Sequence, residues 1–457
     1  MKYTLNDIKH AYFIGIGGVS MSSLASILLI NGKSVYGYDM NSSQNTRRLT
    51  DEGAIITYSL DSEIPSSVDT VIYTAAIKDD NPLMQKAKTS GAVILSRAEL
   101  LAVIANSFDT SIGVAGTHGK STTTGLLSSI CIAEDENTAV LSGANLPFLG
   151  SSYKCGNGKR IVYEACEYKN SYHSMIPSIK VVLNCEHDHV DFFPTIDDVK
   201  NSFRKYIDTT GRDDNKNISV VNMDCKNCLE LSQNSCSEVY YYSIKDKADF
   251  YAVNIDMTSG YGNFSIILND GTSIDNISLK IPGIHNVSNS VAAAAAAYLS
   301  GVTPKKIKSG LESFGGVSRR FEHLGTYNGA TIIDDYAHHP DEIEVTLKAA
   351  KALCKGRIIC VFQPHTFTRT YELLDNFAKA LSLADEVYLC DIYAAREINL
   401  TGVQSRHIAD KMSNARCPGG FDEIAALLKN ELKPDDFCIT MGAGEAYKVA
   451  DILLKQQ

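Results

Sequence analysis

A short apolar run, Ile112-Gly113-Val114-Ala115, turns through Gly116-Thr117-His118-Gly119 and enters Lys120-Ser121-Thr122, where a helical pattern over 123–132 begins. A strand, a glycine turn and Lys-Ser at a helix start commit this region to an α/β sheet carrying a phosphate-binding loop. Glycines let backbone N–H groups approach an anion, the helix N-terminus adds partial positive charge, and Lys120 adds a full one. The Ser121 hydroxyl is then placed to ligate Mg²⁺. The general pattern G-x-x-x-x-G-K-[ST] would put its first glycine at Val114, and Gly113 falls one residue too early. The match is imperfect, but its strand-and-helix setting predicts a nucleoside triphosphate site.

The chain has 457 residues, enough for about three domains of ~150 residues each. Its formal charge is −10 without any long Lys/Arg run, which argues against nucleic acid as a partner. No run approaches the ~18 apolar residues of a membrane helix, so no membrane insertion is expected. Residues 1–18 lack a signal pattern. The twelve cysteines are scattered, as suits a reducing compartment. The expectation is a soluble cytoplasmic protein. Its one CxxC, Cys225-Lys226-Asn227-Cys228, has Cys236 nearby but no second pair. It reads most simply as free thiols on a turn, with a metal or redox role as the alternative.

β-Branched runs alternate with helical stretches, which predicts α/β units with parallel sheets. Candidate strands cover 11–16, 34–38, 70–74, 111–115, 161–163, 181–184, 357–362 and 386–390. Breaks near 106–110 and at Gly315-Gly316 divide the chain into domains at roughly 1–107, 108–315 and 316–457. Between 249 and 275 the pattern changes to hairpin alternation, with Asn269-Asp270-Gly271 as the turn. The alanine run 292–297 predicts a buried helix.

Several segments just past strands carry chemistry. Gly15-Ile16-Gly17-Gly18 approximates G-x-G-x-x-G, with Ser20 in place of the third glycine, and Asp39 ends the next strand where a ribose-contacting acid would sit. No hydride-transfer site follows, which favours a nucleotide diphosphate over a redox cofactor. Glu164-Ala165-Cys166-Glu167 and Asn184-Cys185-Glu186-His187-Asp188-His189 supply ligands suited to Mg²⁺. A zinc site at His187 and His189 lacks a clear third ligand. In Pro282-Gly283-Ile284-His285-Asn286, a side-chain amide could read an adenine edge or simply cap a helix.

In order along the chain, these segments resemble the Mur ligase family. The resemblance rests on G-I-G-G-x-x-M at 15–21, S-R-A-E-L-L at 96–101, G-T-H-G-K-S-T at 116–122 and E-A-C-E at 164–167. It continues with D-H-x-D at 188–191, P-G-x-H-N-x-x-N at 282–289, R-R-F-E at 319–322, D-D-Y-A-H-H-P at 334–340 and F-Q-P-H-T at 362–366. The last two are most similar to the members that add L-alanine. The resemblance implies a Rossmann-like N-terminal domain, a central P-loop ATPase α/β domain and a Rossmann-like C-terminal domain. It also implies the substrates UDP-N-acetylmuramate, L-alanine and ATP, with Mg²⁺. ATP would phosphorylate the lactyl carboxylate, and the alanine amine would then displace phosphate from the acyl phosphate.

The same resemblance distributes roles. Gly116, Thr117, His118, Gly119, Lys120, Ser121 and Thr122 would hold ATP, with Lys120 on the β/γ-phosphates. Ser121, Glu167 and His189 would hold the metal. His285 and Asn286 would border the adenine, Asp335 the ribose and Arg320 the phosphates. Tyr336, His338 and Arg369 would line the alanine pocket. Gly15, Gly17, Gly18 and Asp39 would border the uridine diphosphate, and His118 with Asn145 the sugar. The chain departs from the family at three places. Glu164-Ala165-Cys166-Glu167-Tyr168-Lys169 replaces a commoner E-A-D-E-S-D, and Glu167 is favoured over Glu164 as the metal-side acid. Ser121 replaces Thr, and Thr366 stands where many members have Arg. A recycling ligase that attaches a whole peptide to the same sugar nucleotide, and a non-catalytic nucleotide-gated paralogue, are the alternative readings.

Overall fold

Three sheets organise the chain in a computed structural model that describes residues 3–74, 76–189, 192–210, 217–395 and 397–455. The first is all parallel, in the order Ile55–Thr57, Ser34–Tyr38, His10–Ile14, Thr70–Tyr73, Val93–Ser96. Chain direction across the sheet reverses beside His10–Ile14. That reversal opens a crevice at the strand's carboxyl end, where sheets of this class bind ligands. The predicted strand over 11–16 is cut short at Ile14. Gly15 turns out of it at φ 85°, and the Gly15 and Ile16 N–H groups both donate to the Tyr38 carbonyl.

The ten-stranded second sheet places Thr110–Ala115 between Ile179–Val182 and Arg160–Glu164, all parallel. Both neighbours are short β-branched runs with almost no exposed side chain, the pattern of strands covered on two faces. The predicted hairpin forms between Tyr261–Ile267 and Ser273–Pro282, with Gly271 in the left-handed region at its turn. The alanine helix is buried as expected: Ala292 to Ala297 are each 0% exposed within Ile284–Leu299. The strands of this sheet that were not foreseen are Ala139–Leu146, the antiparallel edge Ser151–Lys154, Ile218–Asn222 and Glu238–Ser243.

The six-stranded third sheet runs Glu322–Tyr327, Ala330–Asp335, Phe437–Met441, Ile358–Phe362, Glu386–Leu389, Ala415–Arg416, antiparallel only at its first pair. The chain forms two compact units. One comprises 1–255, 264–278 and 287–314, and the other 256–263, 279–286 and 315–457. Among the described residues no helix is long and apolar enough to cross a membrane.

Behind the phosphate loop, helix Lys120–Glu134 packs on Pro304–Ser313 through a glycine. A Cβ at Gly310 would fall 2.7 Å from the Ile130 nitrogen, and the Ser129 hydroxyl donates to the Gly310 carbonyl at 2.8 Å. The clash is with backbone, so only a shift of the whole helix relieves it. Gly310→Ala is therefore expected to destabilise the first unit by about 1–3 kcal/mol, read as a lower thermal midpoint in calorimetry; an unchanged midpoint would contradict this packing.

Candidate active site

Strand Thr110–Ala115 ends at Gly116, and the loop closes at Gly119, whose φ of 82° lies in the left-handed region. Asn289 Oδ1 would be 3.0 Å from a Cβ at Gly119, and Leu183 Cβ 2.9 Å from one at Gly116. The loop therefore needs both glycines for backbone shape and for close packing. Gly113 has a different purpose. A Cβ there would strike the Tyr206 hydroxyl at 2.6 Å, so it serves the core and is no displaced member of the phosphate loop.

Asn184, at the end of the neighbouring strand, fixes the loop from the side. Its Oδ1 accepts from the His118 N–H at 2.7 Å and its Nδ2 donates to the His118 carbonyl at 3.0 Å. The Glu186 N–H donates to Thr117 Oγ1 at 2.9 Å, and the His118 ring lies 3.5 Å from the Glu186 carboxylate. Asn145 is exposed on Ala139–Leu146.

Lys120 reaches back over the loop. Its Nζ donates to the Gly116 carbonyl at 2.5 Å, the Thr117 carbonyl at 3.1 Å and Glu167 Oε1 at 3.0 Å. Glu167 is 2% exposed. Burial alone would push its carboxyl up, but the Lys120 ammonium and hydrogen bonds from His189 and Lys120 hold it below the usual range. Lys120 is raised in turn, because Glu167 outweighs the effect of burial. The pair is ionised. His189, at φ 54°, sets Nε2 3.4 Å from Glu167 Oε1, and the Tyr168 ring lies 4.7 Å from the imidazole. Glu167 Oε2 is buried without a hydrogen-bond partner. An ionised carboxylate oxygen left unmatched in a dry site is costly, and it is the donor a hard cation takes.

Glu164 points elsewhere, accepting from the Gly143 N–H at 2.6 Å and the Ser142 hydroxyl at 3.1 Å. Of the two acids, then, only Glu167 sits beside Lys120. Among the described residues no group of three or more His, Cys, Asp or Glu side chains could hold a metal ion. Asp191 of the D-H-x-D segment lies outside the described residues.

In the first sheet's crevice, Gly17 donates its N–H to Asp39 Oδ2 at 2.7 Å, and a Cβ at Gly17 would meet that oxygen at 2.9 Å. Gly18 caps helix Val19–Ile30. Ser20, in the place of a third glycine, accepts from Arg97 Nη1 at 3.1 Å. Asp39 thus braces the glycine turn as well as bordering the crevice.

The second unit gathers its own cluster past Ala330–Asp335. The buried Asp335 accepts from the Phe321 and Ala337 N–H groups at 2.8 and 2.7 Å. Arg319 and Arg320 diverge. Arg319 binds Asp334 at 2.9 Å and the Gly442 carbonyl at 2.8 Å, its guanidinium between the Tyr336 and Tyr447 rings. Arg320 lies over Tyr336 and 3.8 Å from Glu342. Glu342, which sequence reasoning missed, accepts from the His338 N–H at 3.0 Å and lies 3.3 Å from its ring. Its position three residues into a helix behind Pro340 looks like an ordinary helix-start acid, so the only sequence signal pointed to capping.

His338 packs edge-on against Tyr336 and His365, and His365 stacks on Tyr393. Burial, then Glu342 against it, then Arg369 leave the His338 imidazole below its ordinary value. Burial, His338 and Arg369 push His365 down to about 4. Both rings are neutral at pH 7, and Arg369 is the cation that bears on both. Elsewhere in this unit, His285 closes its ring over Gly283, and the Asn286 amide donates to the Pro282 carbonyl at 2.7 Å, a capping role.

Burial pushes the Asp335 carboxyl up to about 6, against Arg320 and the two N–H groups. The fold therefore binds this proton more tightly than the unfolded chain does, and the associated stability is lost as pH rises from about 4 to about 6. Over that window Asp335→Asn is expected to gain on wild type by at most about 3 kcal/mol, measured by urea unfolding at each pH. Parallel pH profiles for the two proteins would contradict it.

A parallel sheet with a glycine loop, an ionised Lys-Glu pair and an acid-histidine partner defines a nucleotide-phosphate-binding α/β protein. The comparisons with known proteins make the class specific. Three family models match in succession: Mur ligase family, catalytic domain over 10–109; Mur ligase middle domain over 114–297; and Mur ligase, glutamate ligase domain over 319–444. The UDP-N-acetylmuramate–L-alanine ligase of Alkaliphilus metalliredigens is 41% identical over 456 residues, covering 99% of this chain and 98% of its own. The chain belongs to the Mur ligase family. Among solved structures it is similar to the UDP-N-acetylmuramate–alanine ligase MurC of Thermotoga maritima, with TM-score 0.80, 25% identity and 98% of each chain covered. The murein peptide ligase mpl of Psychrobacter arcticus shares the fold at TM-score 0.68 and 23% identity, again over 98% of each chain.

Proposed function

We propose that this chain is an ATP-dependent ligase that joins L-alanine to the lactyl carboxylate of UDP-N-acetylmuramate, a step of peptidoglycan precursor synthesis. The observation that carries the catalytic reading is the buried Lys120–Glu167 pair at the glycine loop, with His189 beside it. The choice of L-alanine is supported by 41% identity to a ligase of that name along essentially the whole chain.

The reaction must bring two anions together, the carboxylate and the γ-phosphate, so positioning and cationic charge dominate. Lys120 and the loop N–H groups hold the triphosphate. When bound, Mg²⁺ neutralises charge on the β/γ-phosphates, and Glu167, His189 and the Ser121 hydroxyl are the residues to hold it. Lys120 then exchanges its carbonyl partners for phosphate oxygens. The acyl phosphate forms as the carboxylate takes the γ-phosphoryl group from ATP, and ADP leaves. The neutral amine of L-alanine attacks the acyl carbon, the tetrahedral adduct gives up the amine's proton to water, and phosphate leaves. Arg369 pairs with the alanine carboxylate, while the neutral His338 and His365 add no charge against the incoming amine. Gly15, Gly17, Gly18 and Asp39 border the uridine diphosphate, with His118 and Asn145 on the sugar side. Within the second unit, Arg320, Asp335, His285 and Asn286 are the residues we assign to ATP. Substrates of this kind are cytoplasmic, and we place the enzyme there.

The discriminating experiment supplies UDP-N-acetylmuramate, ATP and Mg²⁺ with L-alanine, glycine, L-serine or L-Ala-γ-D-Glu-meso-diaminopimelate. Phosphate release is followed and products are identified by mass. Preferential turnover with L-alanine is expected. Turnover only with the tripeptide would make the protein a recycling ligase, and none at all would leave a nucleotide-gated binding protein.

A further inference from the structure

Cys185, Cys225 and Cys228 form a thiol cluster that the ligase chemistry leaves unused. Cys225 precedes helix Lys226–Ser232 and Cys228 lies in its first turn, so their three-residue spacing puts both on one face. Cys225 is partly exposed, whereas Cys228 and Cys185 are buried. Cys225 packs against the apolar cluster that buries Cys185 and Cys228. The polar groups that act on its thiol are the Cys228 side chain first, then the backbone N–H groups of Cys228, Cys185 and Asn227. Together they hold the Cys225 thiol down to about 6, although burial opposes them. The Cys225 side chain, then burial, pushes the Cys228 thiol well up. The pair is therefore divided into an accessible thiolate and a buried thiol that keeps its proton, the two roles of a disulfide-forming pair. Cys236 is engaged elsewhere, its thiol donating to the Asp208 carbonyl at 3.4 Å.

This cluster is tied to the phosphate loop. Asn227, between the two cysteines, donates from Nδ2 to the Cys185 carbonyl at 2.8 Å, and Asn222 donates to the Leu183 carbonyl at 2.8 Å. Leu183 packs under Gly116, Asn184 clamps His118, and the Glu186 N–H binds Thr117. Four consecutive residues, 183–186, thus link the CxxC segment to the loop.

We propose that Cys225 and Cys228 are a thiol–disulfide exchange site through which small-molecule disulfides weaken nucleotide binding. The Cys225 thiolate attacks one sulfur of the small disulfide, forming a mixed disulfide and releasing one thiolate, which takes a proton from water. Cys228 loses its proton and attacks the Cys225 sulfur, expelling the second small thiol, which carries that proton away. Two protein thiols are oxidised, and one small disulfide is reduced to two thiols. Closing the bond draws Cys225 away from the Cys185 N–H and shifts Asn227, loosening 183–186 beneath the loop. The chemistry stands on the thiol cluster alone; its consequence rests on reading 116–122 as the nucleotide site.

The test incubates the full chain with oxidised glutathione, traps remaining thiols by rapid alkylation, and maps linkages by mass spectrometry. The expected product in wild type is a Cys225–Cys228 disulfide that dithiothreitol reverses. Cys228→Ser should stop at a glutathione adduct on Cys225, and Cys225→Ser should leave Cys228 unmodified. ADP titrated calorimetrically should bind several-fold more weakly to the oxidised wild type, and equally to Cys225→Ser with or without glutathione treatment. Absence of the 225–228 linkage while other cysteines react would overturn the site, and a disulfide with unchanged ADP affinity would overturn the coupling. A reduced protein that binds no ADP would refute the nucleotide site instead, leaving the mapped thiol chemistry standing.

Discussion

Lys120→Ala is expected to lower turnover by about 10²–10³-fold or more while the protein remains folded. That range is what one well-placed donor to developing charge contributes, and Lys120 is the full positive charge at the loop, 3.0 Å from Glu167. The substitution also strands a buried carboxylate. Breaking a buried pair by removing one partner costs about 3–5 kcal/mol if the remaining charge persists. Glu167 escapes most of that cost by taking up a proton, because the Lys120 charge that held it low is gone and burial now prevails. The pH dependence of stability should therefore change sign at this residue. In wild type the ionised Glu167 contributes stability above the unfolded carboxyl value, near ~4.3, and that contribution is lost as pH falls. In the variant the protonated form is favoured, and stability is lost as pH rises instead. Circular dichroism, steady-state phosphate release and unfolding at two pH values read all three consequences. A folded variant that ligates at a near-normal rate would remove Lys120 from the chemistry.

Arg369→Ala is expected to raise KM for L-alanine by roughly 30- to 700-fold, the equivalent of about 2–4 kcal/mol for a desolvated charge pair. KM for ATP should move little. Arg369 lies in helix Phe367–Glu372, close enough to His338 and His365 to depress both imidazoles. Neither neutral ring can replace it as a carboxylate partner, and Thr366 brings no second guanidinium. Thr366 instead turns the chain, at φ 67° with its N–H donating to the Tyr393 carbonyl at 2.8 Å. Equal rises in both KM values would show that Arg369 supports the fold of the unit and does not clamp the amino acid.

What the sequence made legible follows a physical division. Parallel strands buried on both faces read clearly, because Ile112 to Ala115 and Val181 to Leu183 are apolar without alternation. The edge pair Ala139–Leu146 and Ser151–Lys154 did not, since Gly143, Asn145 and Pro147 break its β pattern. At the site, local chemistry was readable and partner choice was not. Glu164 and Glu167 are equivalent acids three residues apart in sequence, and only the fold turns one to Gly143 and the other to Lys120. Arg319 and Arg320 are likewise indistinguishable until Asp334 and Gly442 claim the first. Asp335 looked like a ligand-facing acid after a strand; its two backbone N–H donors, from Phe321 and Ala337, depend on a left-handed turn at Phe321 that no periodicity announces. Asn184 went unremarked as a loop clamp because its partner, His118, lies 66 residues away.

The most direct measurement follows oxygen. UDP-N-acetylmuramate carrying ¹⁸O in its lactyl carboxylate is turned over with ATP, Mg²⁺ and L-alanine, and the released phosphate is analysed by mass. Ligation through an acyl phosphate requires one carboxylate oxygen to leave with each phosphate, so the label should appear there in step with amide formation. Unlabelled phosphate alongside amide product, or label recovered in AMP, would contradict the account.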